Sequence, residues 1–299
     1  MTGKRRQKKV KSPADLAGLF DSGMKVAIGG MLFHNRPVSI IRHLIKSRIN
    51  DLTLYSAPLS SYDVDLLVGA GLVRETYLPH VSFGHLGLAP NYSKAIRAKR
   101  ILARLCDEAT ICGGFLASSE GLPYHPVVSL KGTDILKHEN GVKVKRFRSE
   151  DGEDILCVPA ISPDLAIIHA QEGDEFGNIR HTLAVYSDRL IAEASKTVIV
   201  SVEKLISNEE VKREPFRTTI PSYLVDAVVE IPYGAHPCSS MGLFLQDEGH
   251  MKEYLDASKT RETFDEYLDR YVYGPRTMEE YIEAIGGRKR LKELEQRWT

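Results

Sequence analysis

Short apolar runs alternate with amphipathic stretches along most of the chain. Residues 26–28 and 52–55 are apolar runs of strand length. Between them a helix is predicted from Pro37, because apolar residues recur at helical spacing at Ile40, Ile41, Leu44 and Ile45. The same reasoning predicts helices at residues 63–68, 92–99, 109–118 and 188–194, and strands at residues 76–78, 101–105, 127–130, 164–170, 197–202 and 227–231.

This alternation predicts an open, largely parallel α/β sheet flanked by helices. The runs at residues 164–170 and 197–202 are apolar throughout, which is typical of strands covered by helices on both faces. A polar hairpin is predicted at residues 142–147 and 154–158, and a helical pattern begins at Asp247. We therefore divide the chain into a basic N-terminal tail (residues 1–11), an α/β domain (residues 12–246) and a helical C-terminal region (residues 247–299).

Ligands of open α/β sheets bind beyond the carboxyl ends of the strands, in the loops that lead into helices. The predicted elements therefore indicate a short set of loops for the functional site: residues 29–35, 56–62, 81–89, 107–108, 171–178 and 234–240.

Composition argues against several classes of function. The chain has 299 residues, 42% of them hydrophobic, which is enough for a large buried core. Forty basic residues balance 40 acidic ones, so no overall charge favours nucleic acid or a membrane. The local excess is an N-terminal basic tract, predicted to be solvated, with an electrostatic contact to a partner as the alternative: Lys4, Arg5, Arg6, Lys8, Lys9 and Lys11.

The cysteines and histidines do not form the patterns of a disulfide framework or a metal site. The four cysteines include no CxxC pair, which favours a reduced, cytoplasmic setting. The ten histidines are scattered, so no metal is expected. The charged N-terminus is unlike a secretory signal, and the longest apolar runs are far shorter than the ~20 residues of a membrane-spanning helix.

Gly29 and Gly30 follow a predicted strand and precede a predicted helix. Glycines in such a loop let backbone N–H groups approach a phosphate, a carboxylate or a developing oxyanion. Neither G-x-G-x-x-G nor G-x-x-x-x-G-K-[ST] occurs, so no dinucleotide or P-loop fingerprint is met. A tight turn that requires glycine is the alternative interpretation.

Asp107 and Glu108 lie where a predicted strand ends and a helix begins. A carboxylate at that place can be desolvated and directed toward the cleft, which is the setting of a general base. Capping of the helix start is the alternative, because acidic residues serve that role as well.

A series of short motifs follows in a fixed order over roughly residues 12 to 275: Ile28-Gly29-Gly30 with Arg36-Pro37, Asp51-Leu52-Thr53, Leu67-Val68-Gly69-Ala70-Gly71, Gly121-Leu122-Pro123, Ile167-Ile168-His169-Ala170-Gln171 with Gly177-Asn178, Ser201-Val202-Glu203, Val225-Asp226-Ala227-Val228 and Tyr233-Gly234-Ala235-His236-Pro237. This ordered series resembles the alpha subunit of family I CoA-transferases, particularly the glutaconate CoA-transferase type.

The resemblance implies an enzyme that moves CoA between an acyl-CoA and a small carboxylic acid. It implies a beta-type partner subunit that carries the nucleophilic glutamate, in a hetero-oligomer such as a dimer of αβ units or larger. The CoA ester is substrate, and no further cofactor, nucleic acid or membrane is implied. We expect Gly29 and Gly30 to form an oxyanion or carboxylate loop, Arg36 to pair with a substrate carboxylate or CoA phosphate, and Ser56 and Ser82 to donate hydrogen bonds in the cleft.

A related heteromeric branch of this fold hydrolyses carbon–carbon bonds in CoA-linked remnants of steroid rings. Its alpha-type chain carries an Asp-Glu pair that Asp107-Glu108 resembles, and this alternative makes Glu108 the catalytic base. A non-catalytic, ligand-sensing domain is a second alternative, because related α/β sheets serve as sensors and a fold alone does not fix function.

Overall fold

The computed structural model describes residues 7–296. Its strands are β1 Lys25–Ile28, β2 Leu52–Tyr55, β3 Val73–Tyr77, β4 Leu102–Arg104, β5 Tyr124–Val127, β6 Lys145–Arg148, β7 Asp154–Pro159, β8 Leu165–Asp174, β9 Ile179–Arg180, β10 Thr197–Ile206 and β11 Ala227–Glu230.

Ten α-helices accompany these strands in the described part of the chain. They are α1 Val38–Lys46, α2 Tyr62–Gly69, α3 Pro90–Arg97, α4 Glu108–Ser119, α5 Asp188–Ala194, α6 Asn208–Arg213, α7 Glu248–Ala257, α8 Arg261–Leu268, α9 Met278–Ala284 and α10 Gly287–Gln296. Short 3-10 helices lie at Pro13–Leu19, Gly84–Leu86, Asp134–Lys137, Pro215–Arg217 and Ser222–Leu224, and a π-helical turn lies at Asp269–Tyr273.

The central sheet is open and largely parallel, as the alternation of elements predicts. Its strands follow the order β11-β10-β8-β1-β2-β3-β4, and each neighbouring pair is parallel. The short strand β9 pairs antiparallel with the far end of β8. Because all seven main strands run the same way, their carboxyl ends meet at one edge of the sheet, and we call this the carboxyl edge.

Helices cover both faces of the sheet and build two apolar clusters. Within β1, Val26 and Ile28 face α1, α2 and the C-terminal helices, whereas Ala27 faces α4 and α5. This division follows from the two-residue period of a strand. None of the described helices is long and apolar enough to span a membrane.

The predicted hairpin is present and belongs to a second, three-stranded antiparallel sheet. β6 pairs with β7 as expected, and β7 also pairs with β5. The strand predicted at residues 127–130 lies earlier, at Tyr124–Val127, and joins this small sheet. Gly113 and Gly114 of α4 allow the close packing, because a Cβ at either position would meet side chains at 3.2 Å or less, from Val127 and Ile161 among others.

The stretch expected to form a loop at residues 171–178 is partly strand. β8 continues through Asp174, since its backbone pairs with β10 as far as the partners Asp174 and Ile206. Polar residues are tolerated there because they find partners: the Gln171 side chain bonds with Asn35 and Ser240. The turn is therefore confined to residues 175–178.

The described part of the basic tail differs from the predicted solvated segment. The backbone of Lys9 and Lys11 bonds with Val228 of β11, and the Lys9 ammonium group donates to two backbone carbonyls at 2.6 Å. Lys8 pairs with Glu175. The segment thus covers the exposed edge of the sheet. Lys4, Arg5 and Arg6 lie outside the described residues.

A buried polar network joins the C-terminal helices to α2. Asp65 is fully buried and accepts hydrogen bonds from the Tyr254 hydroxyl at 2.6 Å and from the Asn91 side chain at 3.1 Å. Burial raises the pKa of Asp65 to about 6, and these hydrogen bonds oppose that rise. The C-terminal region is therefore attached by specific bonds as well as by apolar packing.

We predict that Tyr254→Phe destabilises the fold by about 1–3 kcal/mol, because the buried Asp65 carboxyl group loses its closest side-chain donor. Urea unfolding of the two proteins measures the difference. Tyr273→Phe is the matched control, since Tyr273 is 43% exposed. Equal unfolding midpoints for wild type and Tyr254→Phe would contradict this account.

Candidate functional site

The predicted functional loops lie together in one layer on the carboxyl edge. The Leu32 N–H donates to the Leu59 carbonyl at 2.9 Å, and the Ser39 N–H donates to the Gly234 carbonyl at 2.8 Å. Isolated bridges connect His34 with Ser239 and Ser60 with Val81. Loops that are far apart in sequence are therefore held in one continuous surface.

Gly29 and Gly30 form a tight turn whose N–H groups bond inside the protein. The Gly29 N–H donates to the Ile167 carbonyl at 2.9 Å, and the Gly30 N–H donates to the Asp188 carboxylate at 2.8 Å. Gly30 has φ +77°, and a Cβ there would lie 2.5 Å from the His34 carbonyl oxygen. Both glycines are thus needed for the turn, and neither N–H is free for a ligand in this conformation.

Arg36 is fully buried and bonds entirely within the protein. Its Nε donates to Asp63 at 2.8 Å, and a second, shorter bond joins Nη2 to the same carboxylate. Nη1 donates to the Gly30 carbonyl at 3.0 Å and to the Ser56 hydroxyl at 3.3 Å. A substrate anion would have to displace Asp63, so we do not propose Arg36 as a substrate contact.

The two candidate serines occupy different environments. Ser56 is fully buried and donates to the Ile28 carbonyl at 2.8 Å, so its hydroxyl links two strand ends. Ser82 is 8% exposed, and its hydroxyl accepts the Gly84 N–H at 3.3 Å. Of the two, Ser82 is the one that lies near the surface of the loop layer.

Asp107 takes the capping role that the sequence left open for this pair. Asp107 caps α4, because its carboxylate accepts the Thr110 N–H at 2.8 Å and the Thr110 hydroxyl. Partial burial would raise the pKa of Asp107, but bonds from Thr110 and Ser129 bring it below its usual value. Glu108 is the first residue of α4 and is exposed at the carboxyl edge.

Glu108 has neighbours that the sequence did not single out. One helical turn later, the Cys112 thiol lies 3.8 Å from the Ser187 hydroxyl. The next residue, Asp188, holds the Gly30 N–H. Glu108 and the Gly29–Gly30 turn are therefore connected through α4 and α5. The sequence contains no pattern that indicates this contact between α4 and α5. An acid at a helix start is ordinarily explained by its interaction with its own helix.

A cleft of about 540 Å³ lies beside this layer, where β8 and β10 end. Its lining includes Glu172, Glu203, Lys204, Tyr233 and Leu243. The volume is in the range of small-molecule sites. The described residues contain no group of three or more His, Cys, Asp or Glu side chains that could hold a metal ion.

A family model described as "Coenzyme A transferase" matches residues 10–231. The chain belongs to the coenzyme A transferase family. The resemblance inferred from the motifs is thereby confirmed.

Several relatives match most of this chain, and three of them illustrate the range. One subunit of the glutaconate CoA-transferase of Acidaminococcus fermentans is 31% identical over 91% of this chain and 89% of its own length. The cholesterol ring-cleaving hydrolase IpdA subunit of Rhodococcus jostii is 32% identical over 90% of this chain and 93% of its own. An uncharacterized protein of Archaeoglobus fulgidus is 34% identical over 93% of this chain, which spans only 62% of that longer protein.

The solved structure of glutaconate coenzyme A-transferase from Acidaminococcus fermentans has a TM-score of 0.91 and 30% identity, covering 96% of this chain and 95% of that chain. The coenzyme A transferase family model ends at residue 231, whereas this likeness extends over nearly the whole chain. The C-terminal helices are therefore part of what the two structures share.

We predict that Arg36→Met destabilises this member of the coenzyme A transferase family by about 3–5 kcal/mol, because it leaves the buried Asp63 carboxylate unpaired. Arg261→Met, which removes an exposed ion pair with Asp265, should leave stability nearly unchanged. Chemical unfolding of both variants tests this. A stable Arg36→Met protein would show that Arg36 is free to serve a ligand instead.

Proposed function

We propose that the chain is the alpha-type subunit of a heteromeric CoA-transferase that moves CoA between an acyl-CoA and a carboxylic acid. A beta-type subunit completes the active site and carries the nucleophilic glutamate. The observation that carries this proposal is the likeness to glutaconate CoA-transferase over 96% of the chain, which includes the C-terminal helices.

The carboxyl edge has the character of a surface that a second subunit covers. Four loops at this edge each expose a leucine, with relative exposures of 40–70%: Leu88, Leu105, Leu183 and Leu243. Spread across one edge, they favour a protein interface over a free surface. A partner seated there would face Glu108, which is exposed at the same edge.

The proposed transfer splits one difficult step into two easier ones. The partner's glutamate carboxylate attacks the thioester carbonyl, the carbon–sulfur bond breaks, and CoA leaves as a thiolate with an acyl-glutamyl anhydride behind it. The thiolate then attacks the glutamyl carbonyl, which releases the first acid and leaves a glutamyl-CoA thioester. A second acid reverses these steps. This chain supplies one wall of the cleft.

We expect borohydride to trap the thioester in the complex of this chain with its beta-type subunit. After incubation with acyl-CoA, borohydride reduces the glutamyl thioester, so activity is lost and one partner glutamate carries a permanent mass change. Peptide mass spectrometry locates the change. A complex that turns over acyl-CoA and is never trapped would rule out the transferase mechanism.

A related hydrolase is the second candidate, and the placement of Glu108 favours it. Glu108 is an exposed carboxylate at the start of α4, released from capping because Asp107 takes that role. The IpdA subunit, at 32% identity, is named as a ring-cleaving hydrolase. In this candidate Glu108 is the general base on a CoA-linked ring.

The two candidates predict different outcomes for Glu108→Gln in the complex. If the enzyme is a transferase, the variant still forms the trapped thioester. If it is the hydrolase, hydrolysis of the ring carbon–carbon bond in a CoA-linked substrate falls by about a hundredfold or more. Glu120→Gln, which changes an exposed residue at the opposite end of α4, is the control and should match wild type in both assays.

A further inference from the structure

Asp188 is a fully buried carboxyl group that the sequence places only at the start of a helix. Its Oδ1 accepts the Gly30 N–H at 2.8 Å, so it bonds across to another element. Its Oδ2 has no hydrogen-bond partner within residues 7–296. Burial raises the pKa of Asp188 to about 7, against the opposing effects of the Gly30 N–H and the Arg36 charge.

Both backbone polar groups of Gly30 are held by charged side chains. Asp188 accepts from the N–H, and Arg36 donates to the carbonyl at 3.0 Å. Hydrogen bonds to charged groups are the stronger ones, so this pair fixes the orientation of Gly30.

Gly29 provides a second, separate observation that supports the contact between Asp188 and Gly30. A Cβ at position 29 would overlap the Asp188 carboxylate and would come within 3.2 Å of the Ile168 side chain. Any residue other than glycine would therefore push Asp188 away from Gly30. Gly29 leaves room for the carboxylate, and Gly30 supplies the positive φ of the turn.

Asp188 lies between the glycine turn and the helix that begins with Glu108. The groups that face it or its neighbours are the Arg36 guanidinium group, the Tyr186 phenol, and the Cys112 thiol, which contacts Ser187 and lies one turn from Glu108. Among these, Arg36 favours the charged form of Asp188. Asp188 thus contacts the glycine turn directly, and the neighbouring Ser187 contacts α4.

We propose that Asp188 is the positioning residue of the Gly29–Gly30 turn, and that the charge of its carboxyl group sets how firmly the Gly30 N–H is held inside the protein. The ionised carboxylate holds the turn in the observed conformation. The protonated group is a weaker acceptor and loosens the turn. The effect on turnover, though not the effect on the turn itself, rests on the proposed transferase function.

Hydrogen exchange measured by mass spectrometry tests the contact directly. In Asp188→Ala, amide exchange in the peptide that contains residues 29–35 should accelerate about tenfold or more, since a lost hydrogen bond to a charged group corresponds to roughly ten- to 150-fold. Asp188→Asn keeps an acceptor oxygen and should exchange at an intermediate rate. Wild-type exchange in a folded Asp188→Ala protein would overturn the proposal.

The pH dependence of stability provides a second, independent readout. The pKa of Asp188 is raised in the folded state, so the folded chain holds this proton more tightly than the unfolded chain does. Its contribution to stability is therefore greatest below about pH 4 and is lost as the pH rises to about 7. Asp188→Asn removes this slope. Asp226→Asn is the control, because the Asp226 carboxylate also holds a backbone N–H, that of Val198 at 2.8 Å.

Turnover by the complex with the beta-type subunit is measured last. In wild type, the KM for acyl-CoA should change across the pH range in which Asp188 titrates, while Asp188→Asn shows no such step. A step retained in Asp188→Asn would overturn the positioning role. A wild-type complex without any turnover would instead contradict the proposed function, and the exchange experiment would still decide the role of Asp188.

Discussion

The buried ion pair between Arg36 and Asp63 is the constraint on which the carboxyl edge depends. Through it, the guanidinium group joins α2 to the end of β1, where it holds the Gly30 carbonyl, and to the end of β2, where it contacts Ser56. Two ions are costly to bury unless their hydrogen bonds are satisfied, so the loops around them are fixed in one arrangement. The layer above the sheet is built on this arrangement.

The same constraint changes how the glycine turn is understood. Glycines after a strand suggest backbone N–H groups that are available to bind an anion. Here each N–H already has an acceptor inside the protein. One of these acceptors is Asp188, a group whose own charge can change. The turn is thus a fixed piece of backbone whose conformation depends on two buried side chains, and its contribution to a ligand site depends on them.

The order of elements was predictable from the sequence because the apolar periods of strands and helices are local. Helix α5 and strand β2 lie at the predicted residues, and the parallel sheet follows from their alternation. The extension of β8 was not predictable, because Gln171 and Asp174 look like loop residues until Asn35 and β10 provide their partners. Only the β6–β7 hairpin of the small sheet was predictable. The pairing of β5 with β7 was not, because β5 is short and β7 lies far along the chain.

The candidate site was predictable in place but not in its contacts. Strand ends indicate the loops, and the loops do meet, but Arg36 pairs with Asp63 and Gly30 with Asp188 over separations of 27 and 158 residues. No local rule connects residues so far apart. The sequence alone therefore does not show which polar groups are available to a ligand and which already bond within the protein. The fold is needed to distinguish them.

The exposure of Glu108 bears differently on the two candidate functions. An acyl-glutamyl anhydride would be hydrolysed by bulk water if the carboxyl edge stayed open, so the transferase chemistry requires a cover that excludes solvent, whereas the hydrolase must admit the water molecule that it consumes. Within the described residues, Glu108 is exposed at this edge, whereas the Gly29–Gly30 turn is buried. The exposed leucines at this edge fit a partner that supplies the cover. Whether that partner adds a nucleophilic carboxylate then decides between transfer and hydrolysis.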